Sequence, residues 1–336
     1  MRARFSRLAP FAATAVLAGC NADGTAVPVP DASADGPSDA APANDASPAR
    51  EAAADAASSP GSVSYVRVAN WSFGAPAIDV CLAPHGTNAF QGPLVAALAI
   101  AELDAGDYEA GGPPPVSFAE VSAYIPVSPG SYDARLVVAG ALGCSPGLLD
   151  LPSIPGTVAG GFATIALLGN VSPGEGAPGT GLRLIGLDDV GLTADPGHVA
   201  LRFVHAAPNS PTADMGIGSF TPLFADVSFG GAATVAEAKN ADPVFGAAPI
   251  QVDDAGYVQL GSYPAILASA HATGTLSQVL ATGEMFAAGG TIVTIVLLGG
   301  PPTSGDSGVS SDQILECVDN GPIVGPLSDC FVLASQ

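Results

Sequence analysis

Tyr65-Val66-Arg67-Val68-Ala69, followed by Ala75-Pro76-Ala77-Ile78-Asp79-Val80, recurs without a gap as Ala200-Leu201-Arg202-Phe203-Val204 and Ser210-Pro211-Thr212-Ala213-Asp214-Met215. Arg67, Pro76 and Asp79 thus lie over Arg202, Pro211 and Asp214. Two more blocks keep the same order. Gly130-Ser131-Tyr132 matches Gly261-Ser262-Tyr263, and Ala159-Gly160-Gly161 with Leu167-Leu168-Gly169 matches Ala288-Gly289-Gly290 with Leu297-Leu298-Gly299. Ordered blocks of this kind mark an internal repeat. Within each copy, short runs of Val, Ile, Leu, Phe and Tyr are cut by Gly, Pro, Asn or Asp, which is the pattern of short strands and turns. Helical periodicity is confined to Leu94 to Leu103 and Thr234 to Asn240. The pattern predicts an all-β protein of two tandem antiparallel β-sandwich domains of immunoglobulin-like type, at 62–195 and 196–302. A C-terminal segment, 303–336, is expected to be closed by a disulfide.

The copies differ where loops are expected. Between Asp79 and Phe118 the first carries about two dozen residues that the second lacks between Asp214 and Phe229, and the second carries about twenty more between Phe229 and Tyr263. The stretch from Leu201 to Asp214, Leu-Arg-Phe-Val-His-Ala-Ala-Pro-Asn-Ser-Pro-Thr-Ala-Asp, resembles the opening motif of the bacterial domain-of-unknown-function family 4397. The first copy resembles it more loosely, with Asn70-Trp71-Ser72-Phe73 at the position of His-Ala-Ser-Pro, so the scaffold as such does not require His205. The resemblance covers most of 62–302. It implies exported, surface-associated β-domains, often in tandem, and no known activity.

The chain opens with Arg2, Arg4 and Arg7, an apolar run from Leu8 to Leu17, and Leu17-Ala18-Gly19-Cys20. A basic start, an apolar stretch too short to span a bilayer and small residues before a cysteine describe an export signal over 1–19. Its end resembles the lipobox of bacterial lipoproteins, which implies cleavage before Cys20 and lipidation of that residue. Several acyl chains on one residue anchor a protein stably. Asn21, by resemblance to the enterobacterial sorting rule, implies passage to the outer membrane. The stretch 20–61 is almost wholly Ala, Pro, Asp, Ser, Gly and Asn, and is expected to be a disordered acidic linker.

Removing the three leader arginines leaves 6 of the 9 basic residues against 31 acidic ones, a formal charge of −25. Such a surface repels phosphate backbones and anionic headgroups, so nucleic acid is excluded as a partner. The membrane is expected to be reached only through the N-terminal lipid. Four cysteines remain beyond Cys20, and an even count in an exported chain favours disulfides. Of three pairings, proximity favours Cys81 with Cys144 and Cys317 with Cys330.

Candidate chemistry is sparse. Ser304-Gly305-Asp306-Ser307-Gly308 looks like the surroundings of a serine nucleophile, but nothing at fitting spacing supplies its base and orienting acid. His85, His198, His205 and His271 show no paired spacing for one metal. Asp188-Asp189 and Asp253-Asp254 invite calcium but lack alternating ligands with glycine. The paired glycines lack the Lys-Ser/Thr of a phosphate loop. No catalytic residue, cofactor or metal ligand is therefore expected. His205 is expected to hydrogen-bond the turn from Ala206 to Ser210. Arg67 with Asp79, and Arg202 with Asp214, recur at one separation and are expected to pair within each copy. The sequence thus predicts a non-catalytic lipoprotein of the cell envelope, lipid-anchored in the outer membrane and either periplasmic or surface-exposed, that binds an envelope protein or a polysaccharide or serves structurally. The alternatives are a secreted hydrolase acting on an extracellular polymer and a calcium-dependent adhesin.

Overall fold

The strand Ser64–Asn70 (β1) is buried on both of its faces, so it lies inside a stack and not on its surface. Val66 and Val68 join one core, while Ala69 and the adjoining Trp71 join another. Alternation along a strand sends successive side chains to opposite faces, and here both faces meet apolar partners. The computed structural model describes residues 63–97, 115–171, 179–189, 197–217, 221–234, 256–261, 263–275, 277–287, 289–300, 312–318 and 329–333.

Among the described residues four sheets carry the fold. In the first, β1 is flanked by β3 (Glu120–Val121) and β4 (Ile125–Val127) and by β7 (Phe162–Leu168), with β8 (Arg183–Asp188) outside β7. The second contains β2 (Ile78–Pro84), β5 (Tyr132–Val138) and β6 (Leu149–Leu151). The third repeats the first: β9 (His198–Ala206) lies between β12 (Gly231–Ala232) with β13 (Val258–Gly261) and β16 (Thr291–Leu298), followed by β17 (Gln313–Val318) and β18 (Asp329–Val332). The fourth repeats the second, with β10 (Ala213–Ile217) between β11 (Thr221–Val227) and β14 (Tyr263–Ala272), then β15 (Val279–Ala287).

The repeat read in the sequence is therefore a repeat of topology and register. Arg67 stands opposite Thr164 in the β1–β7 pair, and Arg202 stands opposite Thr294 in the β9–β16 pair. Both pairs are parallel, where antiparallel pairing was expected. Parallel neighbours need a long crossover, and here β2 to β6 and β10 to β15 lie between them in the chain.

Among the described residues the three larger hydrophobic cores order the layers. Val66, Ile78, Leu136 and Ile165 fill the space between the first two sheets. Leu201, Phe203, Met215, Phe224 and Ile295 fill that between the last two. Trp71, Ala166, Leu168, Val204, Val296 and Leu315 form the third, which packs the first sheet against the third. The stacking order is second, first, third, fourth. The boundary expected at 302 falls between β16 and β17, strands of one sheet, because β17 covers the edge of β16 as β8 covers that of β7.

Disulfides join Cys81 to Cys144 and Cys317 to Cys330, the pairing that proximity favoured. The second links directly opposed residues of β17 and β18. A helical turn over 94–97 begins where helix was expected, and the remainder of that stretch lies outside the described residues, as do 235–240. That turn belongs to the long insert of the first copy. Its described parts run along the edge of β2, where Gln91 bridges Leu82 and Val116 bridges Ile78, and Val95 joins the core between the first two sheets. On the face of β2 away from that core, Asp79, Cys81 and Ala83 are also buried. Gly92 lies so near that an added Cβ would stand 2.9 Å from the Val80 carbonyl oxygen and 3.1 Å from Cys81 Sγ. Its φ of +137° also disfavours any side chain.

Candidate functional site

The seam between the first and third sheets holds a buried ionic cluster built from equivalent positions of both copies. Arg202 Nη2 donates to Asp189 Oδ1 at 2.7 Å and to Thr294 Oγ1 at 3.1 Å, and its Nη1 donates to the Asp188 carbonyl at 3.0 Å. Arg67 Nε donates to Thr164 Oγ1 at 2.7 Å, and that hydroxyl donates to Asp189 Oδ2, which lies 3.8 Å from Arg67 Nε. Tyr124 donates to the same Oδ2 at 3.1 Å. Each guanidinium also lies over a tyrosine ring, Arg67 on Tyr124 at 4.7 Å and Arg202 on Tyr257 at 4.6 Å.

Asp189 thus bridges two arginines that the repeat made alike. Burial alone would raise its carboxyl, but Arg202, then Arg67, and the bonds from Thr164 and Arg202 together hold it below the ordinary carboxylate range. This corrects the expected pairing within each copy. Neither arginine pairs with the aspartate of its own motif, because Arg67 faces outward from the first sheet while Asp79 faces outward from the second, with both sheets between them. In the Asp188-Asp189 pair, Asp189 is taken up by the guanidinium groups of Arg67 and Arg202. Asp253-Asp254 lies outside the described residues.

The two motif aspartates do local work. Asp79 accepts from the backbone N–H of Val80 at 2.6 Å, Val95 at 2.8 Å and Ala96 at 2.9 Å, so it caps the helical turn of the insert. Asp214 accepts from Asp226 N at 2.9 Å, Thr273 Oγ1 at 3.0 Å and Gly274 N at 3.3 Å, tying two hairpins together.

His205 bonds its turn as expected. Its Nε2 donates to the Pro211 carbonyl at 2.8 Å and its Nδ1 accepts from Ala207 N at 3.3 Å, an arrangement that needs the neutral Nε2–H tautomer. Asn70 makes the same two bonds in the first copy: Nδ2 donates to the Pro76 carbonyl at 3.1 Å and Oδ1 accepts from Ser72 N at 3.3 Å. The position thus requires one donor and one acceptor, not an imidazole.

A second polar group rims the outer face of the second sheet. Asp133 accepts from His85 Nδ1 at 2.6 Å, Ser153 N at 2.8 Å and Gly86 N at 3.0 Å. Beside it, Arg135 pairs bidentately with Asp150 at 2.7 Å for both bonds and lies over Phe90 at 4.0 Å. The Ser153 amide, then His85 and Gly86, pull the Asp133 carboxyl down to about 2 from 3.8. A carboxyl lowered on folding contributes stability that is complete above 3.8 and is lost as pH falls towards about 2. Asp133→Asn is expected to flatten stability over that acid range, as read by urea midpoints. An unchanged acid slope in the variant would place that titration elsewhere.

Sequence reasoning missed Asp189 as a structural centre and missed the Asp133 rim. Among the described residues no group of three or more His, Cys, Asp or Glu could hold a metal ion, and no helix is long and apolar enough to cross a membrane. Cys20 and Ser304 to Gly308 lie outside the described residues. Paired disulfides indicate an extracytoplasmic protein.

Fold and site together define a stacked, disulfide-bonded all-β protein whose polar motifs hold its seam and its turns. Residues 64–216 match the family described as a domain of unknown function, DUF4397. The match runs from the first residue of β1 into β10 and so includes both copies of the Arg-to-Asp motif. No curated protein matches the sequence.

Proposed function

We propose that this is a non-catalytic lipoprotein of the bacterial cell envelope, anchored to the outer membrane through Cys20, with a binding or structural role at the surface towards an envelope protein or a polysaccharide. The observation that carries the reading is Leu17-Ala18-Gly19-Cys20 behind a basic, apolar start. The two disulfides fit an oxidising compartment. The acidic linker over 20–61 would hold the stack clear of the headgroups. The roles found for Asp79, Asp189, His205 and Asp214 support a scaffold, since each is engaged in holding structure.

Labelled palmitate is expected to enter the wild type and not Cys20→Ala, and protease treatment of intact cells followed by a glycan array with the soluble chain from residue 62 tests the surface role. Equal labelling of both proteins would remove the anchor from the proposal. A glycan hit would choose the polysaccharide over the envelope protein.

A further inference from the structure

We propose that His205 makes the leading turn of the second copy an acid-released latch, while Asn70 keeps the equivalent turn of the first copy closed at any pH. His205 is fully buried, and its Nδ1 serves as the acceptor for Ala207 N while Nε2 donates to Pro211. A second proton on the ring makes Nδ1 a donor, so the Ala207 bond is lost and a charge is left in the core. Asn70 makes both bonds without titrating.

The surroundings offer the cation little. On β16 the residue opposite His205 is Leu297, and on β12 it is Gly231. From the start of β17, Asp312 is the charge that favours the protonated ring, but it is already engaged by the Ser210 hydroxyl of the same turn. Phe229 presents its ring at 6.2 Å, and Arg183, a like charge, lies over that ring. Burial pushes the imidazole below its ordinary value of 6.5, against the Pro211 carbonyl bond and Asp312.

The sign follows. A histidine whose folded pKa lies below its unfolded one contributes stability that is complete above 6.5 and is lost as pH falls towards the folded value. The latch lies at the seam, because Asn209 in this turn accepts from Asn170 Nδ2 of the first copy at 3.1 Å and Ala206 packs in the core of Trp71. Release therefore loosens contact between the copies, and Trp71, the one tryptophan of the chain, reports it.

The test compares the full chain with His205→Asn, which installs the bonding group that the first copy already uses, between about pH 7.5 and about pH 5. The wild type is expected to lose folding equilibrium constant by up to about tenfold per pH unit below the midpoint, with Trp71 emission shifting to the red. His205→Asn is expected to hold both constant, and Asn70→His to add a second acid-sensitive step. Matching pH profiles for wild type and His205→Asn would overturn the proposal. Should His205→Asn not fold, the wild type alone decides. Hydrogen-exchange protection of the Ala207 amide must fall as the His205 ring titrates by NMR, and protection retained through that titration would equally overturn it.

Discussion

Asp189→Ala is expected to destabilise the folded region by about 3–5 kcal/mol, because it leaves two buried guanidinium groups without the carboxylate that bridges them. The side chains of Arg67 and Arg202 are each 1% exposed and that of Asp189 is 3% exposed, so water does not replace the lost partner. An exposed pair would be worth under about 1 kcal/mol, and burial is what separates the two regimes. Asp189→Asn keeps the shape and removes the charge, so it is expected to fall between the wild type and alanine. Replacing all three charges together, as Arg67→Met, Asp189→Leu and Arg202→Met, is expected to recover much of the loss, since no unpaired ion then remains. Urea midpoints and slopes measure each variant. A loss near that of a surface pair for Asp189→Ala would mean that the cluster contributes geometry and little energy.

The same cluster shows what was legible in the sequence. Strand positions, the repeat and the disulfides could be read because apolar alternation and cysteine spacing are local signals. The partner of each arginine was not, and the reason is parity. Arg67 lies between the core residues Val66 and Val68, and Asp79 between Ile78 and Val80, so each faces away from the shared core and the two cannot meet. Alternation alone forbids the expected pair. It does not reveal the true partner, because Asp189 follows β8 and reaches both arginines only after the first and third sheets have stacked.

His205 is the converse case. Its turn-forming neighbours Pro208, Asn209 and Pro211 made its bonding legible. That Asn70 does the same work was hidden, since asparagine and histidine share no side-chain chemistry beyond one donor and one acceptor at similar reach. The rim around Asp133 was invisible for a third reason: His85 and Ser153 lie 48 and 20 residues from it, and only the β2–β5 pairing and the turn after β6 gather them.

Removing the Cys81–Cys144 bond is expected to have the second large effect, about 4 kcal/mol, because its sequence separation of 63 restrains far more of the unfolded chain than the 13 of Cys317–Cys330, worth about 3 kcal/mol. The double variant Cys81→Ala with Cys144→Ala removes the longer tether and leaves the shorter one oxidised. Two native-state consequences separate entropy from packing. Cys81 is fully buried beneath Gly92, so the smaller alanine should loosen the insert where it crosses β2. Cys144 precedes Gly147, and an added Cβ there would stand 2.7 Å from Arg135 Cδ, so the tether also sets how closely the loop approaches the Arg135–Asp150 pair. Exchange protection at Val95 and Ala96, whose amides Asp79 holds, is therefore expected to drop along with overall stability. A full stability loss with protection there unchanged relative to the global value would assign the bond to the unfolded state alone. A loss below about 1 kcal/mol would mean that the β2–β5 ladder already closes the loop and that chain entropy is not what this disulfide controls.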